Sequence, residues 1–227
     1  MRAQSLVGNP PVFEEGLFPW TAWVEQNWRD IRAEVDLLLQ DRARIPTFHA
    51  VSPDQYRISS GEQWRSFFLW GMGYKVPTNC ARCPKTTWVL ESIPGLTTAF
   101  FSILAPGTHI PRHRGVTRRL LNCHLALIVP ERSINGTEGC RMMVENETVR
   151  WREGSCVVFD DTYPHEVWND TAETRVVLLV QFKRPLRQPA RLVGDLFLNL
   201  VRLSPYVRDA RRNIADWERA YQQIETE

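Results

Sequence analysis

Between residues 86 and 184 the chain is built from short apolar or alternating runs that are separated by turn residues. A strand in a packed sheet needs only about four to eight such residues. Several short strands at this spacing are typical of an antiparallel sandwich or barrel. The sequence therefore predicts a mainly β fold, with strands at 88–93, 99–104, 120–129, 141–144, 155–159 and 175–182.

Helical patterns flank this β region on both sides. The apolar spacing at 20–39 predicts one amphipathic helix, whereas the aromatic-rich segment 47–84 has mixed periodicity and stays unassigned. Beyond residue 185 the pattern is helical again, and Ser204 with the proline after it marks a last helix that ends near Glu225. The first of these C-terminal helices carries an apolar stripe of Leu192, Val193, Leu196, Phe197, Leu200 and Val201.

We expect a single compact domain with three segments. Residues 1–85 form an N-terminal helical extension that also walls the substrate pocket, 86–185 form the β core, and 186–227 form C-terminal helices packed on that core. A chain of 227 residues can bury a core without help from cross-links or metals.

Charge and composition exclude some classes of protein. The net charge of +2 gives no field that would attract nucleic acid. No apolar run is long enough for a membrane span, and no secretory leader is apparent. The five cysteines are scattered, which is typical of a protein with reduced thiols. We therefore expect a cytoplasmic location. Cys80 and Cys83 have a zinc-like spacing, but the second pair that a zinc ribbon needs is missing from the sequence.

The segment 183–212 holds eight basic and two acidic residues beside the apolar stripe. Such a helix can lie on a membrane surface. Packing on the β core, or a contact between two copies of the chain, is the simpler interpretation. The oligomeric state is open.

Two of the five histidines lie at strand edges within the β region. His113 and His165 are 52 residues apart, and a small barrel can bring two such positions together at its mouth. Imidazole is a common ligand for iron. Ordinary loop histidines remain the alternative on spacing alone.

Several strings in 83–185 resemble the aspartyl/asparaginyl β-hydroxylase family. They are HRG at 113–115, LALIVP at 125–130, GCR at 139–141, WREG at 151–154 and, most specifically, VFDDTYPHEVWN at 158–169. The resemblance implies a double-stranded β-helix, which is a jelly-roll, cupin-like core. It also implies iron(II), 2-oxoglutarate as cosubstrate and dioxygen, with His113 and His165 as the metal ligands.

Most oxygenases of this type add a carboxylate two residues after the first histidine. Here that position is Gly115. A glycine there would otherwise suggest a lost metal site or a halogenase. The resembled family carries glycine at this place, so the resemblance implies a metal held by two histidines and weaker retention of that metal.

The resemblance also implies how 2-oxoglutarate is bound. Arg175 would bind the distal carboxylate, helped by Ser102, since a buried carboxylate is well matched by a guanidinium. His124 would contact the keto-acid end. Asn122 stands where family members often have arginine, and Arg118 is an alternative partner on the same predicted strand face.

The substrate is the least determined feature. The resemblance favours hydroxylation at the β-carbon of an aspartyl, asparaginyl or related amino-acid substrate. Hydroxylation of a lipid acyl chain at its 2-position is the alternative, and the basic C-terminal helix favours it mildly. A cupin-like binding domain without turnover is a third possibility, because Asn122 lacks the charge of the arginine that it replaces.

Overall fold

Two antiparallel sheets form the centre of the molecule. The computed structural model describes residues 2–59, 61–131, 133, 136 and 139–225. Of the predicted terminal segments 1–85 and 186–227, residues 1, 226 and 227 therefore lie outside the described part. Its strands are β1 (Trp64–Gly71), β2 (Tyr74–Lys75), β3 (Leu96–Leu104), β4 (Thr108–His113), β5 (Leu120–Ile128), β6 (Cys140–Val144), β7 (Glu147–Val149), β8 (Cys156–Phe159), β9 (His165–Asn169) and β10 (Arg175–Lys183).

The larger sheet has the order β2-β1-β3-β10-β5-β8, and the smaller has the order β4-β9-β6-β7. Residues from both sheets share one buried cluster, in which Leu104, Ala126 and Val177 meet Met142 and Val167. The sheets therefore pack face to face as a double-stranded β-helix. The predicted fold class is confirmed.

The outer face of the larger sheet is covered by helices. Phe101, Leu125 and Leu178 on that face share a second cluster with Ile31 and Val35. Because both faces of these strands are buried, their sequences are almost continuously apolar. The helices are α1 (Trp20–Gln26), α2 (Trp28–Gln40), α3 (Phe48–Val51), α4 (Pro77–Arg82), α5 (Pro84–Glu91), α6 (Ala190–Arg202) and α7 (Pro205–Glu225).

The predicted single helix at 20–39 is two helices that meet at Asn27. The backbone of Asn27 leaves the helical region at φ −99° and ψ 10°. Its side-chain amide donates a 2.8 Å hydrogen bond to the carbonyl of Trp23. Asparagine competes with the helix in this way, and apolar spacing alone does not register the break.

The predicted strand at 88–93 is wrong, because these residues belong mainly to α5. Pro84 occupies the first turn, where its missing N–H is harmless, and Val89 and Leu90 are buried. A short apolar run does not distinguish a buried strand from a buried helix. In addition, the β structure begins earlier than expected, since β1 lies in the segment that the sequence left unassigned.

The last helix has the predicted bounds, whereas the helix before it, α6, presents its apolar stripe to an unexpected side. Its buried positions are Gly194 and Leu198, and the predicted stripe points outward, with Leu192, Leu196 and Leu200 each more than 60% exposed. Thus the stripe does not pack on the β core. Within the described residues, no helix is both long enough and apolar enough to cross a bilayer.

A buried ion pair joins the N-terminal segment to the β core. The guanidinium of Arg184 contacts the carboxylate of Asp160, and both side chains are almost fully buried. The same guanidinium donates a 3.0 Å hydrogen bond to the carbonyl of Gly8. Asp160 also accepts bonds from the backbone N–H and the hydroxyl of Thr162, at 3.0 and 2.6 Å. One carboxylate therefore fixes both the turn after β8 and the start of the chain.

Removing this carboxylate should destabilise the protein strongly. Asp160→Ala leaves Arg184 buried without its counter-charge, which costs about 3–5 kcal/mol of unfolding free energy in urea denaturation. Asp36→Ala is the matched control, because its pair with Arg32 is exposed and contributes at most about 0.5 kcal/mol. A loss below about 1 kcal/mol for Asp160→Ala would show that the pair does not hold the two segments together.

Candidate active site

The two candidate metal ligands face each other across two paired strands. His113 is the last residue of β4 and His165 the first of β9, and the strand register sets them directly opposite. Their ring centroids lie 4.1 Å apart. An imidazole nitrogen binds a divalent metal at about 2.0–2.1 Å. Two rings this close can share one ion.

Hydrogen bonds fix the same tautomer on both rings. Nδ1 of His113 lies 2.8 Å from the carbonyl of Pro111, and Nδ1 of His165 lies 3.0 Å from the carbonyl of Tyr163. A carbonyl oxygen only accepts, so each Nδ1 must carry the proton. Each Nε2 then holds the lone pair that a metal requires, with the ring oriented by its backbone partner.

Burial keeps both rings neutral. It lowers the pKa of His113, and it lowers the pKa of His165 to about 4, with a smaller contribution from the nearby His113 ring. Both pKa values therefore lie below that of a free histidine. At neutral pH a metal ion does not have to displace a proton from either ring.

A carboxylate occupies the space of the missing third ligand. A Cβ atom added to Gly115 would lie 2.3 Å from the carboxyl carbon of Asp161, so no side chain fits at position 115. Oδ1 of Asp161 is buried without a hydrogen-bond partner among the described residues. Burial, and secondarily Asp160, raises the pKa of Asp161 to about 7. Asp161 lines the same cavity as both histidines.

Arg175 is a fully buried cation without a counter-charge in the described part of the chain. It begins β10, and its guanidinium stacks on Trp151 at 3.9 Å from the ring centroid. Nε and Nη2 have no hydrogen-bond partner within the part of the chain that the structure describes, and burial lowers the pKa of Arg175 to about 9. Leaving a guanidinium in this state costs several kcal/mol. An anionic ligand would offset that cost.

The other predicted cosubstrate residues line the same cavity. His124 is buried, and neither of its ring nitrogens has a hydrogen-bond partner among the residues that the structure describes; burial holds its pKa well below the usual value. Asn122 instead uses its amide within the protein: its nitrogen donates to Asp161 and its oxygen accepts from Gln181, both at 3.2 Å. Ser102 accepts a 3.1 Å bond from the indole of Trp64.

Arg118 does not line this cavity. It precedes β5, and its guanidinium lies 3.4 Å from the carboxylate of Asp160 and above the ring of Tyr163. Arg118 thus belongs to the structural network of Asp160, and the idea that it replaces the missing arginine of the motif is not supported by its position.

The cavity extends far beyond the histidines. It has a volume of about 290 Å³. Besides the two histidines it is lined by Ile110, Phe100 and Leu179, and α7 contributes Val207 and Ile214. Its walls are predominantly apolar, and Asp161 is the only carboxylate among the described residues that line it. That α6 and α7 line this cavity was not apparent from the apolar periodicity of their sequences.

These residues fit a metal with a dicarboxylate. Two neutral imidazoles present lone pairs, and a buried guanidinium and a buried histidine lack partners beside them. The described residues contain no group of three or more His, Cys, Asp or Glu side chains placed to hold a metal. Any metal here would therefore be bound by the histidine pair, with the remaining ligands coming from outside the protein.

Comparisons with known proteins agree on the family. The family model described as aspartyl/asparaginyl beta-hydroxylase matches residues 25–185. The ornithine lipid ester-linked acyl 2-hydroxylase of Rhizobium tropici is 42% identical over 215 residues, which cover 95% of this chain and 75% of that protein. The human aspartyl/asparaginyl beta-hydroxylase is 34% identical over 171 residues, which cover 73% of this chain but 21% of that protein.

Solved structures with related architecture are more distant. A Pseudomonas putida prolyl-4-hydroxylase has a TM-score of 0.42 at 16% identity, covering 73% of this chain and 99% of that one. A cupin 2 conserved barrel domain protein from Salinispora arenicola has a TM-score of 0.33 at 13% identity, covering 59% of this chain and 83% of that one.

The close approach of Asp161 to Gly115 can be tested by substitution. Gly115→Asp should not create a third ligand, because its side chain collides with Asp161; we expect iron(II) affinity to fall at least about tenfold in a calorimetric titration. Combining Gly115→Asp with Asp161→Gly removes the collision and should restore binding. If Gly115→Asp alone bound iron(II) more tightly than the native chain, Asp161 would not occupy the ligand's space.

Proposed function

Because the chain belongs to the aspartyl/asparaginyl β-hydroxylase family, we propose that it is an iron(II)- and 2-oxoglutarate-dependent hydroxylase acting on the acyl chain of a lipid. The observation that carries the substrate class is the apolar cavity that leads from the histidine pair to the C-terminal helices. The cofactor assignment is supported by the chemistry of the buried groups.

In this proposal His113 and His165 hold the iron through Nε2. Arg175 binds the distal carboxylate of 2-oxoglutarate, with Ser102 beside it on β3. His124 donates to the keto-acid end, since its ring nitrogens are free, whereas the amide of Asn122 is already engaged. A guanidinium buried without a partner is the expected resting state of a site that binds an anion during turnover.

Charge balance supports this combination. Iron(II) and Arg175 bring three positive charges, and 2-oxoglutarate with an ionised Asp161 brings three negative ones, while the histidines stay neutral. A buried site is stable only when its charges are matched. In this proposal Asp161 completes neutrality from beside the ligand position. Its raised pKa follows from burial and, secondarily, from the neighbouring Asp160 carboxylate.

Bound iron(II), 2-oxoglutarate and dioxygen together supply the oxidation of an unactivated C–H bond, with one oxygen atom entering the product and one entering succinate as carbon dioxide leaves. The contribution of the chain is to position the reactants and to exclude water. Phe159 and Trp64 wall the histidine end of the cavity, and Ile110, Phe100 and Leu179 line the approach. No protein acid or base is required.

An acyl chain suits this approach better than a peptide. Its methylene groups can pack against Phe68, Phe100, Leu179 and Ile214 without needing hydrogen-bond partners. A relative from Rhizobium tropici that carries the name of an acyl 2-hydroxylase matches nearly the whole chain. On this basis the acyl chain takes precedence over the amino-acid substrate that the motifs alone favoured.

Hydroxylation of an aspartyl or asparaginyl side chain is the second candidate. The human relative that is named for this reaction is 34% identical. Arg114 and Arg211 also line the cavity and could receive a carboxylate. Incubating the purified protein with iron(II), ascorbate and 2-oxoglutarate, and with either an extracted lipid mixture or acidic peptides, separates the two candidates by mass spectrometry.

The acyl proposal expects a gain of one oxygen on a lipid acyl chain and none on the peptides. Oxygen gained only by a peptide would select the second candidate. If neither substrate is oxidised, succinate does not form and 2-oxoglutarate does not bind, the chain is a binding domain without turnover.

Arg175→Met tests the assigned role of the buried guanidinium. The variant removes an uncompensated charge, so the metal-free protein should be as stable as the native one or more stable. Saturating 2-oxoglutarate with iron(II) should stabilise the native protein by about 2.7 kcal/mol at a hundred times its Kd, and that shift should vanish in the variant. Arg141→Met, whose guanidinium pairs with Asp170, should keep the shift. Loss of stability without loss of binding would indicate a structural role for Arg175.

A further inference from the structure

The outer face of α6 is an apolar surface that faces away from the protein. It consists of Leu192, Val193, Leu196, Phe197, Leu200 and Leu203, which are 41–69% exposed. These six account for half of the large hydrophobic side chains that are exposed among the described residues. Scattered exposed leucines need no explanation, but a contiguous patch on one helix marks an interaction surface.

Ion pairs on the inner side hold α6 in this orientation. Asp195 lies 2.8 Å from the guanidinium of Arg119 and 3.0 Å from the amine of Lys183. The backbone at Gly194 approaches Arg119 so closely that a Cβ there would lie 2.5 Å from its Cδ atom. Turning the apolar face inward would break these contacts, so they stabilise the orientation in which the apolar face is exposed.

Basic side chains surround the apolar face. Arg187 and Arg191 lie before it and at its start, and Arg202 and Arg208 lie near its end; all four are exposed. Arg202 and Arg211 both stack on the ring of Tyr74, at 4.1 and 3.7 Å from its centroid. Neither of these two forms an ion pair with another described residue. Their charges are therefore available to an anionic partner.

The apolar face is continuous with the candidate active site. Phe197 belongs to the face and also lines the cavity, and Leu198 and Val201 of the same helix line it from within. On α7, Val207 and Arg211 complete this end of the cavity. Residues of the exposed apolar helix and of its basic rim therefore line this end of the cavity.

We propose that the outer face of α6 docks on the surface of a bilayer that contains anionic lipid, and that acyl chains enter the cavity from there beside Phe197. The proposal rests on the proposed acyl-chain function. A helix of 13 residues is about 20 Å long and lies in the membrane interface without crossing it. Leucines would enter the headgroup boundary, and the arginines would bind phosphate or carboxylate groups.

Bilayer docking fits this surface better than contact with a second copy of the chain. In a two-fold contact the same patch faces itself, so the arginines around the apolar face would approach one another. Like charges across an interface oppose association. On a bilayer the same arginines meet lipid anions.

Vesicle co-sedimentation tests the proposal without turnover. The native protein should bind phosphatidylcholine vesicles that contain phosphatidylglycerol, and its affinity should fall as salt is raised. Leu196→Asp with Leu200→Asp should weaken binding at least about tenfold. Arg202→Gln with Arg208→Gln should weaken it by about fivefold per arginine on anionic vesicles and should leave any binding to pure phosphatidylcholine unchanged.

Leu37→Asp is the matched control, because Leu37 on α2 is 66% exposed and apolar but lies outside this surface. It should bind vesicles like the native protein. Circular dichroism should show native folding in every variant. Two results would overturn the proposal: no binding of the native chain to anionic vesicles, or a native dimer in light scattering that Leu196→Asp dissociates.

Docking and catalysis can fail separately. The leucine variants lie outside the cavity, so they should form succinate from 2-oxoglutarate at the native rate without lipid and should hydroxylate lipid in vesicles at least about tenfold more slowly. Vesicle binding without any lipid hydroxylation would leave docking in place and refute the acyl-chain function. Equal hydroxylation of vesicle lipid by the native chain and by the leucine variants would refute docking while leaving the function intact.

Discussion

The pairing of β4 with β9 is the constraint on which the site depends. It sets two histidines opposite each other and close enough to share an ion, although they are far apart in sequence. The ring orientation comes from carbonyls two residues earlier in sequence, that of Pro111 on β4 and that of Tyr163 in the turn before β9. A shift of one residue would turn either ring to the opposite face of the sheet. The geometry of the histidine pair is thus as well defined as the sheet that carries it.

The remainder of the site is a set of buried polar groups that the protein leaves unsatisfied. Arg175, His124 and one oxygen of Asp161 each lack a partner among the described residues. Such groups are costly in a folded protein, and natural structures contain few of them. Their concentration around one cavity indicates that their partners belong to ligands. The rest of the cavity is predominantly apolar.

The sequence predicted the sheet architecture and the histidine pair, because alternating strands and a specific string of residues both leave local signals. The prediction failed at 88–93, where a short apolar run is consistent with either a strand or a helix. Here the run belongs to a helix that begins at Pro84. The prediction also failed to orient α6. Periodicity finds an apolar face but not the side on which the protein lies, and here Asp195 and Gly194 fix that side through contacts distant in sequence. The position of Asp161 against Gly115 could not be inferred, because it depends on a contact between the segment after β4 and the turn after β8, which are distant in sequence.

The start of the chain has a bearing on the metal site. Arg184 connects the carbonyl of Gly8 to Asp160, and the hydroxyl of Tyr163 donates a 2.9 Å bond to the carbonyl of Asn9. The turn held in this way also carries Asp161 and the carbonyl that orients His165. Residues near the amino terminus therefore help to position Asp161 and the ring of His165, so trimming or tagging this end would also disturb the candidate site.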